Sequence, residues 1–170
     1  MNLSELKFHV NWAIDCLYAH DGMLLRANAS EWAIAHRLAV YLEQRLPQWN
    51  IDCEYNRQGI GRHPKRNEPN RRIRPDIIIH HRGQIAIQHN LLVIEMKKRG
   101  DRLDLDKVCK YTALPNGTRR FQYQYGLSVS LIPTVEAHWF QNGAELNGSR
   151  GGQRGSRALA ELFPRAFRFR

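Results

Sequence analysis

Three charged side chains in the stretch Arg74–Lys98 stand hard against apolar sequence: Asp76, Glu95 and Lys97. Asp76 follows Pro75 and opens the run Ile77-Ile78-Ile79, while Glu95 and Lys97 close the run Leu91-Leu92-Val93-Ile94. Two carboxylates and an ammonium held on rigid segments form a divalent-metal site with a positive charge beside it.

The segments that hold them read as strands. Ile77 to Ile79 is β-branched, with proline just before it, where its missing N–H costs least. Leu91 to Lys97 is an apolar run of strand length. Side chains alternate along a strand, so Glu95 and Lys97 share one face while Met96 and Lys98 take the other. The connection poses a register problem. Arg82-Gly83-Gln84 is its best turn signal, yet Asp76 meets Glu95 in an antiparallel pair only if the turn centres near residues 85–86. Either the connection is an irregular loop or a bulge absorbs the offset. His80, His81 and His89 flank it at a spacing that fits no metal motif, which assigns them surface or structural roles.

Upstream, Leu3, Leu6, Val10, Ala13, Ile14 and Leu17 recur at helical spacing after Asn2, and Asp21-Gly22 ends the pattern. A second helix is expected from Asn28 to about Leu46, stopped by Pro47, with Ala35, Leu38, Ala39, Leu42 and Leu46 as its apolar stripe. At ~100° per residue Glu31 falls within roughly 40° of the stripe's centre, and Glu43 lies roughly 85° away. Glu31 therefore points inward from the first turn. Asn28-Ala29-Ser30-Glu31 also has capping-box spacing, so the same carboxylate has a purely structural reading.

Asn50 to Arg57 reads as a strand, and Gln58 to Arg74 as an aperiodic loop rich in Gly, Pro, Asn and Arg. Past Gly100, Asp101 can cap a helix with Leu105, Val108, Cys109 and Thr112 on its stripe, ending before Pro115. Its Lys107, Lys110 and Tyr111 have two readings, a contact with nucleic acid and a solvated face, of which the solvated face is preferred. Phe121 to Ile132 alternates strictly and is the clearest strand, with Val135 to Phe140 as its hairpin partner. The order is helix, helix, strand, hairpin, helix, strand, strand. This is an α/β chain, with a mixed central β-sheet flanked by α-helices. Length argues for one domain, residues 1–146, with a core at about 28–132 and the helix at 2–20 packed on it. Residues 147–170 read as a flexible basic tail, with a short helix at Ala158 to Phe163.

The net charge of +10 favours a polyanionic partner, and its distribution says where. Residues 1–56 carry 4 basic and 7 acidic side chains, residues 57–75 carry 7 and 1, and residues 149–170 carry 6 and 1. The charge thus concentrates just before Asp76 and at the C-terminus. Arg57, Arg62, Lys65, Arg66, Arg71, Arg72 and Arg74 supply charge-assisted donors that suit a phosphate backbone. Three widely spaced cysteines with no Cys-x-x-Cys read as reduced thiols of an intracellular, cytoplasmic protein. No signal-type segment and no apolar run near ~18 residues is present, so no membrane partner is expected.

Taken together, the chain resembles the PD-(D/E)XK nuclease superfamily, the restriction-endonuclease-like fold. The resemblance is carried by Pro75-Asp76, then eighteen residues, then Glu95-Met96-Lys97, on two apolar strands between an upstream and a downstream helix. It covers about residues 28–132. It implies Mg²⁺-dependent hydrolysis of a phosphodiester, with Mn²⁺ as a substitute ion. Asp76 and Glu95 become metal ligands, the Met96 backbone carbonyl another, and Glu31 the helix carboxylate that completes the site. Lys97 becomes the residue that positions or activates the attacking water and offsets charge at the phosphate. Mg²⁺ keeps several waters, so two or three carboxylates suffice. DNA is favoured over RNA, endonuclease over exonuclease, and low sequence specificity is expected because no reading helix or zinc finger is evident. A homodimer is compatible with this reading. The rival readings are an RNA-directed nuclease and a non-catalytic nucleic-acid-binding module that keeps the fold.

Overall fold

The computed structural model describes residues 1–57, 73–99, 103–115 and 121–146. Within these lie α1 (Leu3–Arg26), α2 (Glu31–Arg45), β1 (Asn50–Cys53), β2 (Ile77–His80), β3 (Asn90–Arg99), α3 (Leu105–Thr112), β4 (Tyr125–Ile132), β5 (Glu136–Gln141) and β6 (Ala144–Glu145). The strands form one mixed six-stranded sheet in sequence order, flanked by helices. Only β3 and β4 run parallel; the other neighbours are antiparallel. The parallel pair needs a crossover, and α3 supplies it.

The two faces of the sheet are covered differently. Ile77, Ile79, Leu92, Ile94, Met96, Leu127, Val129 and Leu131 pack under α1 and α2 through Leu6, Ile14, Leu17, Ile34, Leu38 and Leu42. The alternate residues Ile78 and Val93 point the other way, into a smaller cluster with Tyr111 of α3 and with Phe121 and Tyr123. Asp76, Glu95 and Lys97 share the parity of Ile78 and Val93, so they belong to the α3 face.

The first helical segment of α1 breaks at Asp21, where the pattern was expected to end, and a second segment follows across the kink. Asp21 has non-helical angles and kinks the helix, which then continues to Arg26. The break is tolerated because the Asp21 carboxylate accepts hydrogen bonds from Arg37 and Tyr41 of α2, at 2.7 and 2.5 Å. The chain reverses instead at Asn28, in the left-handed region at φ 58°. This delays α2, whose N-cap is Ser30, accepting from the Ala33 N–H at 3.2 Å.

The register problem resolves as both alternatives at once. Ile77, Ile78 and Ile79 pair with Ile94, Val93 and Leu92, which centres the connection at residues 85–86. The register then shifts between Ile79 and His80. The loop beyond contains the Arg82-Gly83 turn, with Gly83 at φ 81°, and a 3₁₀ turn at Ile87–His89. Asn90 fastens it through its side-chain amide to the carbonyls of Ile85 and Ala86. Asp52 ties β1 to this end of β2, accepting from Arg82 while lying 2.8 Å from His80 Nε2. Burial opposes the Asp52 charge, but His80 and Arg82 prevail and hold its carboxyl well below the usual range. His81 stacks on Trp49 at 4.1 Å and meets His89 at 3.0 Å. All three histidines are therefore structural within the described residues.

The expected strand at Phe121 to Ile132 begins only at Tyr125. Phe121 and Tyr123 join the α3-side cluster, whereas Leu127, Val129 and Leu131 join the opposite one, so the alternation changes phase between them. β1 likewise ends at Cys53, short of Arg57. β6 follows the turn Asn142-Gly143, both with positive φ, a hairpin signal present in the sequence. The cysteines are unpaired. The expected tail and its short helix lie outside the described residues, as does Asp101; the N-cap of α3 is Asp104.

α3 lies close on β4 because β4 presents Gly126, Ser128 and Ser130 on that face. A Cβ at Gly126 would stand 2.4 Å from Val108 Cγ1 and 2.9 Å from Thr112 Cγ2. Gly126→Ala is accordingly expected to lose about 1–3 kcal/mol of stability in chemical denaturation, as overpacking does. Unchanged or increased stability would mean that α3 is not seated by this contact.

Candidate active site

Extending the β2–β3 register by one residue sets Asp76 opposite Glu95, next to the Ile77–Ile94 pair. Directly opposed residues share a face, so both carboxylates point toward α3. Asp76 Oδ2 accepts a hydrogen bond from the Met96 N–H at 2.7 Å. The N–H and C=O of one strand residue address the same neighbouring strand. The Met96 carbonyl therefore opens toward the Asp76 side, while its side chain is buried under α2.

Glu95 is only 2% exposed. Its Oε2 accepts from Lys107 Nζ at 2.5 Å, and its Oε1 is buried without a hydrogen-bond partner. Lys97 Nζ lies between two carboxylates, 3.5 Å from Glu31 Oε2 and 3.6 Å from Asp104 Oδ2. Glu31 reaches this point from the opposite layer, around the end of the sheet. Its Oε1 accepts from the Lys98 N–H at 3.0 Å. The capping box expected with Asn28 does not form, because Ser30 caps the helix and Asn28 instead accepts from Lys98 Nζ. Glu31 is the first residue of α2 and is committed to the end of β3.

Four of the sequence-derived residues, Asp76, Glu95, Lys97 and Glu31, thus meet at one end of the sheet, with the Met96 backbone among them. Of the basic residues, Arg57 and Arg74 are exposed, with Arg74 3.7 Å from Glu54. Arg62, Lys65, Arg66, Arg71 and Arg72 lie outside the described residues. Two members of the site were not assigned to it from sequence: Asp104, and Lys107, for which a solvated face was the preferred reading and nucleic-acid contact the alternative. A signal for Lys107 existed. It stands four residues before Tyr111, on the stripe that α3 buries.

Burial dominates the electrostatics. Desolvation, with the Asp76 charge added to it, pushes the Glu95 carboxyl up to about 8 despite its contact with Lys107. Burial likewise raises Asp76 above the usual carboxylate range, against the Met96 N–H and the charges of Lys107 and Lys97. For Lys97 burial favours the neutral amine, but Glu31, Asp104 and Asp76 together outweigh it and hold the ammonium above its usual value. Lys97 is therefore held as a cation in the metal-free protein.

Among the described residues no three His, Cys, Asp or Glu side chains form a ready metal cage. Lysines are interleaved instead: Lys107 occupies one Glu95 oxygen, and Lys97 stands between Glu31 and Asp104. The orphaned Glu95 Oε1 is nonetheless the kind of atom that a hard cation satisfies. No protein-family profile, curated protein or solved structure matches the chain.

The Glu95 shift has a consequence for stability. Its folded-state value of about 8 lies above the ordinary 4.5, so the metal-free fold keeps this contribution in full below about pH 4.5 and loses it as pH rises through about 8. The loss is bounded on the order of 5 kcal/mol. Denaturation of chelator-treated protein from pH 4 to 9 is expected to show this decline, and Glu95→Gln to flatten it. An identical decline in Glu95→Gln would place its origin elsewhere.

Proposed function

We propose that the chain is a metal-dependent nuclease of the PD-(D/E)XK superfamily, built on the restriction-endonuclease-like fold and hydrolysing phosphodiester bonds in DNA. One observation carries the reading: a buried glutamate with an unsatisfied oxygen, directly opposite an aspartate and two residues from a lysine. A chain does not keep a carboxylate at 2% exposure beside a second one for stability alone, because like charges and desolvation both oppose it. Perturbed carboxylates of this kind gather at functional sites.

Asp76, Glu95, Glu31 and the Met96 carbonyl would hold Mg²⁺. When bound, the ion supplies charge for the phosphate oxygens and lowers the pKa of water. The protein's own residues do the positioning. The Met96 N–H fixes Asp76, and the Lys98 N–H fixes Glu31, so two carboxylates enter the site in set orientations. Lys97, which stands beside Glu31 and Asp104, offsets negative charge at the phosphate and orients the nucleophile. The net charge of +10 and the exposed Arg57 and Arg74 suit a polyanionic substrate.

A second reading draws on the interleaved lysines. If Lys107 permanently takes the place of a metal on Glu95, the domain binds nucleic acid without cutting it. Cleavage assays separate the two. Mg²⁺-dependent cleavage is expected on a panel of supercoiled, linear, branched and single-stranded DNA, with RNA as comparison. Asp76→Asn and Lys97→Met should each lower the rate by about 100-fold or more. Glu31→Gln should weaken cleavage at limiting Mg²⁺, with Glu43→Gln silent as its control. Binding without Mg²⁺-dependent cleavage of any substrate would leave the binding module standing and remove the nuclease.

A further inference from the structure

Lys107 has a second position open to it. Its ammonium sits on Glu95 Oε2 at 2.5 Å, yet the side chain as a whole is 38% exposed. The contact is therefore made by the tip of a long, partly solvated chain reaching inward to a carboxylate that is almost fully buried. Beside it lies a cavity of about 450 Å³ whose charged lining is Asp104, Asp106, Lys107 and Lys110, with Leu103, Leu105 and Tyr111 as its apolar walls. A lysine is a compact point charge on a flexible stem, able to exchange one anionic partner for another without moving its helix. α3 itself is held by the tight Gly126 contact, so such an exchange is confined to the side chain.

We propose that Lys107 is a substrate-phosphate ligand stored on Glu95 in the metal-free protein and released into the adjacent cavity when a divalent cation takes its place on that carboxylate. This rests on the nuclease reading of the same site. Two features support the exchange. Glu95 accepts Lys107 through one oxygen only and leaves the other unsatisfied, so a divalent cation held at this carboxylate would compete with the lysine for its charge. A displaced Lys107 would then stand on the face that holds Lys97, where an incoming phosphate carries the compensating negative charge. In this arrangement the buried Glu95 carboxyl keeps a partner in both states. In the protein alone Lys107 donates to it, and in the metal-loaded protein that lysine is free to hold substrate.

The metal dependence of Lys107 is the readout. Amine labelling of the full chain, quantified by mass spectrometry, is expected to show Lys107 becoming several-fold more reactive at saturating Mg²⁺, with Lys7 on α1 unchanged. The second measurement is the salt dependence of duplex binding, with Ca²⁺ replacing Mg²⁺ to avoid turnover. With Ca²⁺, Lys107→Gln should reduce the slope of log K against log salt by about 0.9, the loss of one phosphate contact. Without divalent ion, the same substitution should leave the slope unchanged. A purely structural lysine would not produce that difference. Labelling unaffected by Mg²⁺, or an equal change of slope with and without Ca²⁺, would overturn the exchange while leaving the nuclease reading intact. Failure of the wild-type protein to bind any divalent ion in calorimetry would remove both.

Discussion

Keeping Glu95 inside the protein is the constraint on which the rest of this end of the molecule depends. A carboxylate on the middle of a sheet, under a helix, is tolerable only if it holds a proton or meets a cation. The fold makes both available: burial and Asp76 favour the proton, and Lys107 supplies the cation. Placing α3 near enough to deliver that lysine requires small residues on β4. Gly126, Ser128 and Ser130 provide them, with Ser128 opposite Glu95 and Ser130 opposite Lys97. Bulk at these positions would fill the space in which the charged side chains lie.

The second carboxylate is set by register. A shift of one residue between β2 and β3 would turn Asp76 to the α2 face and bury it among the apolar side chains of the larger core. The run Ile77-Ile78-Ile79 is buried on both faces and looks the same after a slip, so the polar contacts at its two ends hold the register: Asp76 on the Met96 N–H and His80 on Asp52. The irregularity between Ile79 and His80 then absorbs the mismatch with the loop, and Asp52, His80 and Arg82 anchor it. Precision at the Asp76 end is thus bought by disorder of pattern at the other end of the same two strands.

Much of this was readable from residue types. The alternation of Glu95, Met96 and Lys97 placed the two charges on one face, and the eighteen-residue interval implied a turn centre that the pairing adopts. The mixed sheet and its flanking helices followed from the order of patterns. Glu31 was expected to point inward, but it is exposed and reaches the end of β3 from the surface; nor was its freedom from capping legible, because Asn28 and Ser30 are both good caps and only the left-handed turn at Asn28 selects the later one. The change of phase at Tyr125 was not legible, since aromatic residues satisfy either face equally well. Lys107 escaped because a lysine on an amphipathic helix usually lies in water. What reversed that expectation was a tertiary fact, the buried carboxylate on β3 within its reach.

The central claim is that Glu95, protonated or paired in the metal-free protein, exchanges that partner for a divalent ion. Isothermal titration of the chain with Mn²⁺ at pH 7, repeated in buffers of different ionisation enthalpy, measures the protons released on binding. With the Glu95 carboxyl at about 8, one bound ion is expected to release roughly one proton, and Glu95→Gln to abolish the release. Equally tight binding of Mn²⁺ by Glu95→Gln, or the same proton release from it, would contradict the assignment of Glu95 as the ligand.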